Sequence, residues 1–207
     1  MSVNLMYNSN QNRKESIPSF SRPQHGGAGG RTVRHGSHAP KNTVLISALA
    51  NATQGKLHLC SSEADLPRLG TLVVRPMHIA QDESLSELRH RTRDYAAREH
   101  VSIERQQDLE TAVGEAATNA VVHGGGGTGS VYAVSGLKIQ ICISDEGPGI
   151  TEEHIPQATL IRGFSTKDTL GHGMKMILQA VDRVYLLTGT RGTTIVLEQD
   201  IRKSRKS

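Results

Sequence analysis

The sequence is poor in the residues that often anchor a core or a metal. It has no tryptophan, two phenylalanines and two cysteines in 207 residues. Any core must therefore rest on Val, Ile, Leu and Ala. Cys60 and Cys142 form neither a Cys-x-x-Cys pair nor a zinc spacing, which argues against a disulfide framework or a zinc fold. Cys142 lies in an apolar run and reads as buried filler. No apolar run approaches the length that spans a bilayer, and the N-terminus has no signal-like apolar core. The expectation is a soluble, cytoplasmic protein without membrane contact.

A basic body is missing too. The formal charge is +4, but residues 1–42 hold six Lys/Arg against one acid, and residues 201–207 hold four against none. Residues 43–200 hold 14 bases against 19 acids. Phosphate contacts dominate nucleic-acid affinity, so an acidic body predicts no direct nucleic-acid partner. Residues 1–42 are rich in Ser, Asn, Gly, Pro and His and cannot bury enough apolar surface to offset their ordering entropy. They are expected to form a disordered basic tail, in which His25, His35 and His38 read as solvated rather than metal-binding. Residues 201–207 read as a second basic tail.

From residue 43 the chain becomes apolar enough to fold. Residues 43–69 read as an N-terminal extension of uncertain structure, ambiguous between a short helix and strands over 43–60. "KLHLC" and "TLVVRPM" are expected to be neighbouring strands. "DESLSELRHRTRDYAAREH" has Leu85, Leu88 and Tyr95 or Ala96 near helical spacing, with acids at its start. A second helix is predicted from about Ile103 to His123, with an apolar stripe of Leu109, Val113, Ala116 or Ala117, and Ala120. "SVYAV" with "LKIQICISD", and "VYLLTG" with "TTIVLEQ", read as strand pairs, and "GMKMILQAVDR" as a helix between them. This order predicts an α+β fold with a helical layer on a mixed, largely antiparallel sheet.

The glycine run in "HGGGGTG", residues 123–129, invites a phosphate-loop reading. A Walker loop needs a strand, then glycines, then Lys-Ser/Thr at a helix start. Here a helix enters the glycines, a strand leaves them, and the next lysine is Lys138. The run reads instead as a helix stop and a flexible connection. Upstream, Glu115, Asn119 and His123 are spaced i, i+4, i+8, so they share a face opposite the apolar stripe. "SDEGPGI" places Asp145 at a strand end, where a carboxylate can accept from an amine while Gly147 and Gly149 let a ring lie against backbone. "GHGMKM" places Gly171 and Gly173 before a helix, whose N-terminus can meet phosphate.

Taken in order, these motifs resemble the GHKL ATPase superfamily, which has the Bergerat ATP-binding fold, a two-layer α/β sandwich. "EAATN" is similar to its N-box, "DEGPG" and "GHG" to its glycine boxes, and "GTT" at 192–194 to its late strand start. "EAATNAVVHG", "ISDEGPGI" and "GFSTKDTLGHGMKMI" look like bacterial anti-sigma factors that are also serine-protein kinases of partner-switching modules. The resemblance covers about residues 70–200. It implies ATP and Mg²⁺ as cofactors, with Asn119 binding the metal and Glu115 as general base toward a serine hydroxyl. Asp145 would read the adenine amine, Gly147 and Gly149 would permit close approach, and Thr193 would support the adenine side. The segment 163–173 would be the ATP lid, with Thr166, Lys167, Gly171, His172 and Gly173 toward the phosphates.

Two departures from the family pattern stand out. The lid "STKDTLGHG" carries no arginine, Arg162 preceding it, and His172 stands where an apolar residue is more usual. The expected function is an ATP-dependent serine/threonine protein kinase and anti-sigma-type regulator. Its expected partner is a STAS-domain, anti-anti-sigma-like protein, with a sigma factor or another regulator and a homodimer as further expectations. A module that binds ATP and captures partners without transfer is the alternative. A histidine kinase would need a dimerising hairpin around His90, which the sequence does not supply. His123 reads as a helix-end imidazole or a catalytic group. Arg89, Arg91, Arg93 and Arg98 read as a solvated face or as a docking surface for an acidic partner.

Overall fold

In the computed structural model, residues 43–151, 153–155 and 170–202 are described. The expected tail 1–42, residues 203–207 of the expected tail 201–207, and lid residues Thr166 and Lys167 lie outside the described residues. The first residue of that second tail, Ile201, instead donates its N–H to the Leu137 carbonyl at 2.9 Å and packs against the core. In chain order the elements are α1 (Thr43–Ala52), β1 (Leu57–Cys60), β2 (Thr71–Ile79), α2 (Asp82–Arg98) and α3 (Ile103–Gly124). Then follow β3 (Gly127–Val134), β4 (Lys138–Ser144), α4 (Leu170–Ala180), β5 (Arg183–Gly189) and β6 (Gly192–Asp200).

Period-two alternation builds the sheet's inner face. Ile139, Ile141 and Ile143 of β4, Ile195 and Leu197 of β6, and Val184 and Leu186 of β5 are all buried in one apolar cluster. The same cluster takes in Leu109, Ala112, Val113, Ala116, Ala117 and Ala120 of α3, the expected stripe. Its alanines have short side chains, which lets a 22-residue helix lie close on the strands. The strand order is β1-β5-β6-β4-β3-β2, with β1 parallel to β5 and every other pair antiparallel. The expected α+β fold with a mixed, largely antiparallel sheet is what the chain adopts.

One expectation fails. "KLHLC" and "TLVVRPM" are not neighbours: β1 and β2 occupy opposite edges of the sheet. Both segments carry strand patterns, but no turn signal sets their partners, and β1 finds a parallel partner late in the chain. The connection 61–70 must therefore cross the sheet. It does so on the face away from the helices, where Gln140 donates from Nε2 to the Arg68 carbonyl at 3.1 Å and accepts from the Gly70 N–H at 2.9 Å.

Under this strap lies a charged cluster. Glu198 is fully buried and accepts from Arg183 Nε at 2.6 Å, Lys138 Nζ at 2.9 Å and Gln140 Nε2 at 2.8 Å. Burial opposes its ionisation, but these three donors outweigh that and hold its carboxyl below the ordinary carboxylate value. On the helix side, Arg105 of α3 pairs with Asp182 at 2.5 Å, both nearly sealed from solvent. Asp182 also accepts the Asp200 N–H at 2.8 Å, so one ion pair ties α3 to both ends of the β5–β6 hairpin.

Two outcomes follow for stability. Arg105→Met leaves Asp182 buried without its cation and should cost about 3–5 kcal/mol in urea unfolding. The Glu198 carboxylate, depressed in the folded state, contributes stability above its unfolded value of 4.5, lost as pH falls through the folded value. Glu198→Gln should therefore flatten the acid limb of stability against pH, measured by unfolding at pH values below about 5. An unchanged acid limb would show that this carboxylate titrates normally.

Candidate functional site

The site starts where α3 ends. Gly125 takes a left-handed φ of 73°, and the Gly125 and Gly126 N–H groups close on the Val121 and Ala120 carbonyls at 3.2 and 3.1 Å. The chain enters β3 at Gly127, so only residues 125 and 126 separate helix from strand. The glycine run is thus not the flexible connection its composition suggests. A Cβ on Gly124 would stand 2.4 Å from Asp145 Cβ, and one on Gly127 would stand 2.4 Å from the Ser144 carbonyl oxygen. These glycines are packing positions that let the helix end lie against the end of β4.

Asp145 is held there by backbone. Its N–H donates to the Thr193 carbonyl at 2.9 Å, continuing the β4–β6 ladder. Its Oδ1 accepts from the Gly147 and Thr193 N–H groups at 2.9 and 3.2 Å. Oδ2 accepts no hydrogen bond among the described residues, so it can serve an external amine. Burial pushes the carboxyl above its ordinary value, opposed by the Gly147 and Thr193 N–H groups and by the charge of His123. His123 is exposed in the last turn of α3, near the helix's negative end.

Beyond Asp145 the loop is pinned to the β5–β6 hairpin. Gly149 has a φ of 69°, and a Cβ there would lie 2.0 Å from the Gly189 carbonyl oxygen. The Ile150 N–H donates to Thr188 Oγ1 at 2.7 Å, and Thr188 Oγ1 lies 3.0 Å from Thr193 Oγ1. Sequence reading missed Thr188. The signal was present: with residues 190 and 191 as the turn, Thr188 and Thr193 face each other across the hairpin.

Glu115 and Asn119 are half-buried on α3, as their spacing predicts. The first turn of α4 lies on them: a Cβ on Gly173 would stand 2.7 Å from Glu115 Oε2 and 3.7 and 3.8 Å from Asn119 Nδ2 and Oδ1. "GHG" does not precede a helix; α4 begins at Leu170, so Gly171 and Gly173 sit within its first turn. His172, beside them, is exposed. Glu115, Asn119 and Gly173 are thus in one place. Asp145, Gly147, Gly149 and Thr193 are in a second, joined to the first by the C-terminal turns of α3. Thr166 and Lys167 lie outside the described residues. No group of three or more His, Cys, Asp or Glu among the described residues could hold a metal ion, and no described helix could cross a membrane.

Of the four α2 arginines, Arg91 and Arg93 meet acids within 4 Å among the described residues. Arg91 pairs with Glu87 at 2.5 Å, and Arg93 lies 3.7 Å from Asp94 and 3.6 Å from Glu110. Arg89 instead runs over α3, where a Cβ on Gly114 would stand 3.1 Å from its Cδ. Its Nε is buried and has no hydrogen-bond partner among the described residues.

A helical layer on a mixed sheet, with an amide and a carboxylate on one helix face and a backbone-held aspartate beside it, defines a two-layer α+β ATPase domain. Residues 79–198, more than half of the chain, match the profile of the histidine kinase-like ATPase domain, and the chain belongs to that family. It is 28% identical over 135 residues to the anti-sigma F factor of Halalkalibacterium halodurans, spanning 61% of this chain and 90% of that one. It is 33% identical over 107 residues to the anti-sigma F factor of Bacillus licheniformis, spanning 47% and 71%. Among solved structures, the RsbU and RsbW domains of Rv1364c from Mycobacterium tuberculosis align at 19% identity with a TM-score of 0.44. That alignment covers 64% of this chain and 34% of that chain, so this chain spans about a third of it. The resemblance to GHKL ATPases and anti-sigma factors read from the motifs is borne out.

The packing at Gly124 gives a sign test. Alanine in place of glycine near a helix end ordinarily gains up to about 1 kcal/mol. Here Gly124→Ala should lower the unfolding free energy, because its Cβ overlaps Asp145. A gain in thermal stability would refute the packing role.

Proposed function

We propose that this protein is an ATP·Mg²⁺-dependent serine/threonine protein kinase and anti-sigma-type regulator in partner-switching signalling. The observation that carries this reading is the contact of the α4 first turn with Glu115 and Asn119. It brings the first turn of a helix, a carboxylate and a side-chain amide together. The anti-sigma F factors among its relatives support the regulatory half.

The residues suit the nucleotide. The Asp145 Oδ2 is oriented by the two bonds on Oδ1 and would accept from the exocyclic amine of adenine. The Thr193 hydroxyl would support the same edge. Gly147 and Gly149, packed against Gly124 and Gly189, would hold the loop beside the ring. Mg²⁺ takes few protein ligands, oxygens for preference, and Asn119 Oδ1 would be one. When bound, Mg·ATP supplies the phosphoryl group and the charge that offsets its transfer. Glu115, one turn from Asn119, would accept the proton of the incoming serine hydroxyl. Gly171, His172 and Gly173 would lie along the phosphates at the start of α4. Lys167 and Thr166 would complete the lid.

The substrate in this reading is a STAS-domain protein, and a sigma factor or another regulator is the sequestered partner. Arg91 and Arg93 of α2, both more than a third exposed, would offer positive charge to an acidic partner. A histidine-kinase reading is disfavoured by α2 itself. Leu88, Thr92 and Ala96 are buried within the domain, so the helix that carries His90 is part of the ATPase layer. The absence of a lid arginine favours the second reading, a module that binds ATP and partner without transfer.

Binding of a fluorescent ATP analogue with and without Mg²⁺ tests the site. Asn119→Ala should lose at least about tenfold in Mg²⁺-dependent affinity; affinity equal to wild type would remove Asn119 as a ligand. With [γ-³²P]ATP and a STAS protein, Glu115→Gln should slow transfer by about 100-fold or more. Tight partner binding with no transfer from wild type would select the second reading.

A further inference from the structure

The segment 43–60 lies outside the matched ATPase region, yet it touches the helix that completes the site. Lys56 sits between α1 and β1. Its Nζ donates to the Leu178 carbonyl at 2.7 Å and to the Val181 carbonyl at 3.1 Å, both at the C-terminal end of α4. Its own carbonyl accepts the Val184 N–H at 2.8 Å, which starts the β1–β5 pairing. The last carbonyls of a helix have no intrahelical donor, and a cation there also meets the negative end of the helix dipole. Lys56 therefore supplies the C-terminal anchor of α4 from a strand that is itself fixed in the sheet.

The opposite end of α4 packs closely on α3. Gly173 leaves no room for a Cβ beside Glu115 Oε2. A helix is stiff along its axis, so a slip at its C-terminal end is carried to its first turn. A change of well under one turn would alter how the α4 backbone meets Glu115 and Asn119. The Asp145 end of the site is held separately, by β4, β6 and the hairpin threonines.

We propose that Lys56 is a positioning residue for the nucleotide site: by capping the C-terminal end of α4 it sets the first turn of that helix against Glu115 and Asn119. The proposal rests on the ATP reading above. It assigns to the N-terminal extension a part in phosphate binding without contact with the ligand, and it separates the two ends of the nucleotide. Phosphate affinity depends on Lys56; adenine affinity does not.

The test is competition of ATP and of adenosine against a fluorescent ATP analogue, on the full chain. Lys56→Met should weaken ATP about tenfold and leave adenosine unchanged, as expected for the loss of two charge-assisted bonds at one end of a helix. Lys56→Arg, which keeps a cation and several donors, should restore ATP affinity. Lys56→Gln, a milder change that keeps an amide donor, should fall between and serves if the methionine variant does not fold. Thr53→Val is the control. It removes bonds to the Leu49 carbonyl and the Leu57 N–H in the same turn, so it should lower the melting temperature without changing the ATP-to-adenosine ratio. Equal weakening of ATP and adenosine in the lysine variants, or no weakening, would overturn the proposal. A wild-type chain that binds neither ligand would overturn the ATP reading itself.

Discussion

The close approach of backbone to backbone at the C-terminal end of α3 is the constraint from which the site follows. Gly124, Gly147 and the carboxylate of Asp145 occupy a space that admits no further carbon. This packing fixes the helix relative to β4, and with it the height of Glu115 and Asn119 above the sheet. Two backbone N–H groups then fix the Asp145 carboxylate from the far side. An aspartate with one oxygen fully used and the other open is a directional acceptor, more selective than a solvated carboxylate. The alanine stripe of α3 serves the same end, because bulkier residues would lift the helix and break the contact.

Local patterning made much of this legible. The α3 stripe, the shared face of Glu115 and Asn119, and the four late strands all follow from spacing along one element. The fold class followed from their order. What escaped was set by contacts distant in sequence. Nothing in "KLHLC" says that its partner is β5, since a short apolar run carries no address. The glycine run was misjudged for the opposite reason. Four glycines look mobile in composition, but the reason for glycine at 124 and 127 is the neighbour at Asp145 and Ser144, which sequence distance hides. The α4 start was placed three residues late because glycine inside a first helical turn is disfavoured by propensity, and the contact with Glu115 overrides it.

The outer face of the sheet shows how a two-layer fold can bury charge without a third layer. The 61–70 strap supplies two backbone groups to Gln140, and Gln140 in turn donates to Glu198. Lys138 and Arg183, each less than a third exposed, close the cluster from the sides. A single buried acid among two cations and an amide is fully bonded, which is the condition for a charge to persist out of water. Register depends on it as well: Gln140 and Glu198 are cross-strand partners, and a slip of β4 by one residue would turn Gln140 toward the apolar cluster and away from Glu198.

The parallel pairing of β1 with β5 also sets an order of events during synthesis. Lys56 waits for carbonyls 122 residues further along the chain. At a ribosomal rate of about 5–20 residues per second, the segment remains without its sheet partner for roughly 6–25 seconds after it is made. Leu57 and Leu59 lack their sheet partner during that interval, and β1 takes its place at the sheet edge only once β5 has been made. The extension is translated well before its sheet partner, and its docking cannot precede the synthesis of β5.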